Sequence, residues 1–416
     1  MTTTTISQDL LAPPTADDAE LAARFAPLFE EIAAGNLDRE RERAFGYDEV
    51  RRLVAAGLGR VRVPEALGGG GASLRQTFQL LTDLGAADPN IAHVFRNHLA
   101  FVEDRLNAPP SPANDLWLER ILAGEFVGGG WTEANNGSFG DLKTVLTPEG
   151  DGWRLSGAKF YATGSLYADW LDVLGRTEQG RLITALVRRD QPGVELVDDW
   201  RGFGQQTTAS GSANYRNARV EDVDVFEAGD RFSYQNLFYQ TSLLAILAGI
   251  AKAVQRDGIA ALKARARTYS HGLAGTAADD PQLLQVIGRI SALAFSAEAA
   301  VQRSSATLDP IAAAHARGDA EAEHRALVAA TVETTQAQVA IIEATLTATT
   351  IVFDALGSSG VSKDLALDRH WRNARTLASH NPRVYKERIL GDWFVRGTDP
   401  TDVYGELRAS AGGQSA

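Results

Sequence analysis

Seven histidines and no cysteine bound the chemistry open to this chain. Thiolate catalysis, disulfides and cysteine-ligated metals are excluded, and no HExxH or similar spacing makes a metal site of the histidines. Two histidines stand where proton work is conceivable. His380 lies in Ser379-His380-Asn381-Pro382, which is followed by RVYKERILGDW, a helical pattern. Asn381 suits an N-cap and Pro382 the first helical position. His380 is therefore expected just before a helix N-terminus, where the positive backbone field disfavours imidazolium and lowers its pKa. A neutral imidazole there either serves chemistry, by accepting a proton or donating a hydrogen bond, or is a capping or packing residue. His98 lies in the helical stretch NIAHVFRNHLAF, five residues after His93. That spacing points the two side chains about 140° apart, so they cannot easily share a metal. One is expected to face a cleft and the other to pack.

Other residues bring hydroxyls, amides and charge. Thr163, in FYATGS, sits at the end of a predicted strand, where its hydroxyl can bond a cofactor ring edge or an oxygen species, or simply belong to the strand. Trp131, Thr132, Asn135 and Asn136 lie in WTEANNGS. This is suitable chemistry for the nitrogen and oxygen atoms of a planar cofactor, and also an ordinary turn sequence. Trp200, in DDWRGFG, can wall a ring face or fill a core. Ser358 and Ser359 in GSSGV, with Arg265, Arg267 and Lys386, offer donors and charge for a phosphate. Spacing does not choose among them. GFGQQT at Gly202 is only a fragment of a dinucleotide fingerprint lying among strands, and no Walker A sequence is present, so a nicotinamide site in this chain is not expected.

The elements that must position these residues fall into three textures. The chain has 416 residues, 44% of them hydrophobic, enough for two or three lobes. We expect a loose segment over 1–18, an α-helical domain over 19–125, a β domain over 126–231, a helical bundle over 232–405 and a tail over 406–416. In the first domain LAARFAPLFEEIAAG, YDEVRRLVAAG and LRQTFQLLTDLGAA repeat apolar residues at three- and four-residue intervals. The GGGGAS run from Gly68 to Ser73 reads as a loop between helices. In the second, short strands flank turns such as EGDG, suggesting an antiparallel barrel or sandwich. In the third, alanine-rich helices are expected over Leu237–Tyr269, Pro281–Leu308 and Glu321–Leu356. The net charge of −12 argues against nucleic-acid or anionic-membrane partners. The N-terminus lacks a secretory pattern, and no transmembrane helix is expected. The absence of cysteine fits a cytoplasmic protein.

The α, β, α order and the motifs VPEALGGGG, WTEANNGSFGD, LSGAKFYATGS and ALGSSGVSKDLALDRHWRNAR resemble the acyl-CoA dehydrogenases and the flavin monooxygenases that share their fold, over about Tyr47 to Asp399. HVFRNHL, DDWRGFGQQTTASGSANYRNARV and HWRNARTLASHNPRVYK resemble the dibenzothiophene monooxygenases and related sulfur-compound monooxygenases. The resemblance implies an N-terminal helical domain, a central antiparallel β-barrel or sandwich and a C-terminal four-helix bundle, in a homotetramer. It places the dehydrogenases' catalytic glutamate within Ser379-His380-Asn381, which has no carboxylate, and the alternative position, in FYQTSLLAIL, has none either. Abstraction of an α-proton needs such a base. The resemblance therefore implies a two-component monooxygenase. Reduced FMN, or alternatively FAD, arrives from a separate NAD(P)H-dependent reductase, meets O2, forms a C4a-hydroperoxide and oxygenates an organosulfur compound. His98, Thr163 and His380 are implied as catalytic. Trp131, Thr132, Asn135, Asn136, Thr163, Trp200, Arg265, Ser358, Ser359 and Lys386 are implied as flavin contacts. Aromatic, indole or amine hydroxylation, acyl-CoA dehydrogenation and a non-catalytic ligand-binding role are the alternatives.

Overall fold

The protein is described by a computed structural model covering Leu10, residues 13–133 and residues 142–401; Asn135 and Asn136 lie outside the described residues. Five helices come first: α1 (Asp18–Glu42), α2 (Tyr47–Ala55), α3 (Leu74–Ala87), α4 (Pro89–Asn107) and α5 (Pro112–Leu122). Their starts follow local chemistry. Ser73 and Gln76 form a reciprocal capping box on α3, and Asp88 caps α4 ahead of Pro89 at its first turn. The glycine run is the expected loop. A Cβ on Gly69 would stand 2.0 Å from the Val63 carbonyl oxygen, so close backbone approach, not phosphate binding, explains that glycine.

Eight strands follow: β1 (Val127–Gly130), β2 (Val145–Glu149), β3 (Gly152–Lys159), β4 (Trp170–Thr177), β5 (Leu182–Arg188), β6 (Val194–Val197), β7 (Ser212–Glu221) and β8 (Val225–Glu227). The sheet order is β6-β7-β3-β2-β4-β5-β8, with β1 paired to β4. The EGDG turn closes the β2–β3 hairpin, Glu149 opposite Gly152. The sheet is mixed, not purely antiparallel, because β4 pairs in parallel with both β1 and β2. Parallel neighbours need a long connection, and at least twenty residues separate each of those strands from β4. The connection from β1 to β2 carries the Trp131 segment, so this irregularity belongs to the site.

The C-terminal helices are α6 (Gln235–Ala264), α7 (Pro281–Ala306), α8 (Asp309–Ala316), α9 (Ala320–Leu356), α10 (Asp368–Ala378) and α11 (Val384–Arg396). The long helices α6, α7 and α9 pack on one another, α10 packs on α6 and α9, α11 on α9, and α3 crosses α6. That crossing is tight: a Cβ on Gly249 would lie 2.4 Å from the Thr82 carbonyl oxygen. A continuous apolar core links Phe25, Phe78 and Phe95 to Leu171, Phe238 and Ile341. Contrary to the sequence expectation, three helical stretches, Gln235–Ala264, Pro281–Ala316 and Ala320–Ser359, are long and apolar enough to cross a membrane. Packing accounts for the first, whose apolar window is 89% buried in the protein, whereas that of Pro281–Ala316 is only 22% buried.

Candidate active site

A cleft of about 610 Å³ opens between α4, the end of β1, the loop after β3, the start of α6, the α10–α11 link and α11. That volume is in the usual range for a small-molecule site. Arg96, Trp131, Thr132, Thr163, His380 and Lys386 are among its walls. Among the described residues lining it there is no aspartate or glutamate, while Arg96, Lys386 and Arg388 bring basic groups. A cleft without a carboxylate has no base for carbon acids.

His380 lines this cleft, but not for the expected reason. Helix α11 begins at Val384, its N-cap is Arg383, and no side chain caps it. Asn381 is used elsewhere: its Nδ2 donates to Gln240 Oε1 at 2.7 Å, and its carbonyl accepts from Gln338 Nε2 at 2.8 Å. These bonds pin the α10–α11 link to α6 and α9. His380 instead trails the C-terminal end of α10, its N–H on the Leu377 carbonyl, so a helix N-terminus contributes nothing to its pKa. The direction expected for the shift stands, with different causes. Surrounding protein, then the Arg96 charge, pull the imidazole from 6.5 to about 4. His380 is an exposed residue on the cleft wall, so water tempers the first effect and a molecule filling the cleft strengthens it.

The two α4 histidines exchange the expected roles. His98 is buried away from the cleft, 1% exposed and stacked on Phe126 at 4.4 Å. Its Nδ1 accepts from Val127 N–H at 3.1 Å, so Nε2 carries the hydrogen and donates to the Gly59 carbonyl at 2.9 Å. Burial lowers its pKa to about 4. His98 is a strut between α4 and β1. His93 is the one beside the site, its ring centroid 6.5 Å from that of His380 and nearly edge-on.

A chain of amides sets the tautomer of His93. Glu40, paired with Arg372 at 3.2 Å, accepts from Asn373 Nδ2 at 3.4 Å. Asn373 Oδ1 therefore faces Gln205, accepting its backbone N–H at 2.6 Å and its Nε2 at 3.4 Å. Gln205 Oε1 is left toward His93 Nδ1 at 3.0 Å, which makes Nδ1 the protonated nitrogen. His93 Nε2 keeps its lone pair and has no hydrogen-bond partner among the described residues. Burial first, then the charge of Arg96, hold the His93 pKa well below 6.5. Sequence reasoning missed Gln205 and Asn373, which lie far from His93 along the chain. It could have noticed His93 and Arg96, three residues apart and thus on one helix face.

Thr163 is 7% exposed and lines the cleft, its hydroxyl 2.8 Å from that of Ser210 and its carbonyl accepting from Asn97 Nδ2 at 2.9 Å. The neighbouring Tyr161 takes φ +57° and also lines the cleft, an uncommon backbone state for a tyrosine. Trp131 and Thr132 line it too. Trp131 is held from behind: its Nε1 donates to Asp172 at 3.1 Å, and Arg231, paired with Asp172 at 2.8 Å, lies 5.3 Å from its ring. Trp200 does not line the cleft; it packs edge-on against Tyr161 at 5.7 Å and donates to the Gly204 carbonyl.

The phosphate candidates split. Lys386 lines the cleft, and burial lowers its pKa to about 8. Arg265, Ser358 and Ser359 gather at the opposite end of the bundle. Arg265 donates to the Ala355 carbonyl at 3.1 Å and stacks on Tyr269, which abuts Gly357. Arg265 is about 37 Å along α6 from the cleft residue Gln240, at 1.5 Å per residue. Within one chain these three cannot serve this cleft, and Arg267 lies in the same distant loop.

The fold agrees with the comparisons. The family models described as acyl-CoA dehydrogenase, N-terminal domain, and acyl-CoA dehydrogenase, C-terminal domain, match residues 17–125 and 242–383, together more than half of the chain. The chain belongs to the acyl-CoA dehydrogenase-fold family. Within it, the chain is similar to a probable FMNH2-dependent monooxygenase, SfnC, of Pseudomonas putida, at 29% identity over 88% of this chain and 92% of that one. It is 28% identical to a dibenzothiophene monooxygenase of Rhodococcus qingshengii over 93% of this chain and 96% of that one. The solved structure of methanesulfinate monooxygenase MsuC from Pseudomonas fluorescens superposes with a TM-score of 0.80 at 26% identity, covering 91% of this chain and 97% of that one.

Proposed function

We propose that this protein is the oxygenase of a two-component flavin monooxygenase system, taking reduced FMN from a separate reductase and inserting one atom of O2 into a small organosulfur compound. The observation that carries this reading is a cleft with flavin-suited donors, one imidazole of depressed pKa on its wall with a second beside it, and no carboxylate among its described lining residues. The flavins and organosulfur substrates in the names of the similar proteins support it.

The residues fit a flavin. Trp131 offers a rigid aromatic wall, Thr132 and Thr163 offer hydroxyls for ring heteroatoms, and Lys386 offers charge for the phosphate. Reduced flavin, when bound, supplies the two electrons that activate dioxygen. His380, neutral above about pH 4, holds a lone pair or one N–H at the cleft wall without adding a mobile proton. His93, locked with its hydrogen on Nδ1, keeps a bare, buried Nε2 beside His380. His93 and His380 together control where a proton can enter. The apolar and aromatic walls keep water from the reacting atoms.

We place the protein in the cytoplasm and assign it a homotetramer. The poorly buried apolar face of Pro281–Ala316 favours cover by another copy. In such an assembly Arg265, Ser358 and Ser359 face a flavin held by a neighbouring subunit. The test uses photochemically reduced FMN, labelled dioxygen and no nicotinamide. Label in an oxygenated sulfur product is expected. Oxidation of reduced FMN at its protein-free rate, or anaerobic bleaching of bound flavin by an acyl-CoA, overturns the reading.

A further inference from the structure

Arg96 is a charge in want of a partner. It is 9% exposed and lines the cleft. Its Nε donates to the Tyr239 carbonyl at 3.2 Å, and its guanidinium lies 4.5 Å over the Tyr239 ring. Among the described residues no carboxylate comes within ion-pair distance of it. Burying a guanidinium without an anion is costly, and that cost is maintained beside the two imidazoles. Burial lowers the Arg96 pKa to about 10, which still leaves it cationic at neutral pH. Its charge in turn is felt by both His93 and His380, which locates it at the imidazole end of the cleft; neither histidine is perturbed by Lys386.

We propose that Arg96 is the receptor for an anionic substrate head group, and that the organosulfur substrate is an alkanesulfinate rather than a neutral sulfide or thiophene. This rests on the monooxygenase reading above. With Nε occupied, the two Nη groups remain as a planar pair, matched to two oxygens of one sulfur centre. A sulfinate presents two such oxygens and keeps a lone pair on sulfur for the incoming oxygen. A sulfonate has the oxygens but no lone pair. The balanced reaction is RSO2⁻ + O2 + FMNH2 → RSO3⁻ + FMN + H2O. An S–O bond forms and the O–O bond breaks. Sulfur is oxidised by two electrons, and reduced flavin supplies the two electrons and two protons that turn the second oxygen atom into water.

The test compares wild type, Arg96→Met and Arg96→Lys, supplied with photoreduced FMN and O2, using methanesulfinate and neutral dimethyl sulfide. Wild type should prefer methanesulfinate. Arg96→Met, which keeps volume without charge, should raise the methanesulfinate KM by about 30-fold or more, with Arg96→Lys intermediate. Binding of FMN relative to riboflavin should not change. Because an unpaired buried charge is removed, the melting temperature of Arg96→Met without ligands should hold or rise, which separates this result from misfolding. An unchanged methanesulfinate KM overturns the proposal. So does a loss that falls on FMN but spares riboflavin, which would assign Arg96 to the flavin phosphate. A wild-type preference for dimethyl sulfide overturns the proposal while leaving the monooxygenase reading intact. Failure to oxygenate either compound while reduced FMN oxidises at its protein-free rate overturns that reading too.

Discussion

Replacing His98 by leucine separates a strut from a catalyst. The substitution keeps an apolar body of similar size against Phe126 but leaves Val127 N–H and the Gly59 carbonyl without their ring partners. An orphaned buried polar group costs about 1–3 kcal/mol, so the variant should lose roughly 2–6 kcal/mol at pH 7 by the same measure. Acid adds a sharper signature. The folded histidine stays neutral down to about pH 4, while in the unfolded chain it takes up a proton near 6.5. Between those values the unfolded state binds more protons, so wild-type stability falls as pH drops. This group alone contributes about 2 kcal/mol of that fall between pH 7 and pH 4.5. Leucine has no such term, whereas His93, His370 and His380 act alike in both proteins and cancel. The stability gap between variant and wild type, read from denaturant titrations at the two pH values, should therefore narrow by about 2 kcal/mol. Turnover per folded molecule should be unchanged. A variant of wild-type stability whose turnover collapses would refute the reasoning and return His98 to the site.

Three further outcomes follow from the cleft. His380→Ala should cut product formed per O2 consumed by about 10²–10⁴-fold, with little change in melting temperature because the residue is exposed; normal coupling would sink its assignment. Gln205→Leu should unlock the His93 tautomer, visible as a change in the ring nitrogen chemical shifts, and lower turnover more than it lowers flavin affinity. Lys386→Met should weaken FMN binding below pH 8. In wild type, FMN affinity should fall as pH rises through about 8 and Lys386 loses its proton, and this pH dependence should vanish in the variant.

What the sequence made legible was periodic or local. Helices such as α7 and α9 started at Pro281 and Ala320, close to where proline and acidic caps place them. The β2–β3 turn was readable from EGDG alone. Thr163, Trp131, Thr132, His380 and Lys386 do converge on one cleft. What failed was set by distant contacts. The Asn381-Pro382 pair carries a strong helix-start signal, yet Asn381 is drawn to Gln240 and Gln338, and the helix begins later. His93 and His98 are equivalent as helical histidines. Of these two, Gln205, reaching in from the loop before β7, contacts only His93, which the fold sets beside His380. Arg265, Ser358, Ser359 and Lys386 share a chemistry suited to phosphate, but a thirty-residue helix separates the first three from the cleft that Lys386 lines.

These contacts give the missing carboxylate a different meaning. Removing an acid from a dehydrogenase-like cleft would merely inactivate it if nothing else changed. Here His380 on the cleft wall and His93 packed beside it both resist protonation, and Arg96 contributes to that resistance while remaining cationic. A carboxylate in place of His380 would pair with Arg96, raise the pKa of His93 and restore a proton donor beside the reacting atoms. The absent acid, the depressed imidazoles and the unpaired guanidinium are thus mutually dependent. Introducing glutamate at His380 should therefore not restore carbon-acid chemistry. It should quench Arg96 as an anion receptor, so that methanesulfinate turnover is lost while folding persists, and retained turnover with that substitution would break the linkage argued for the site.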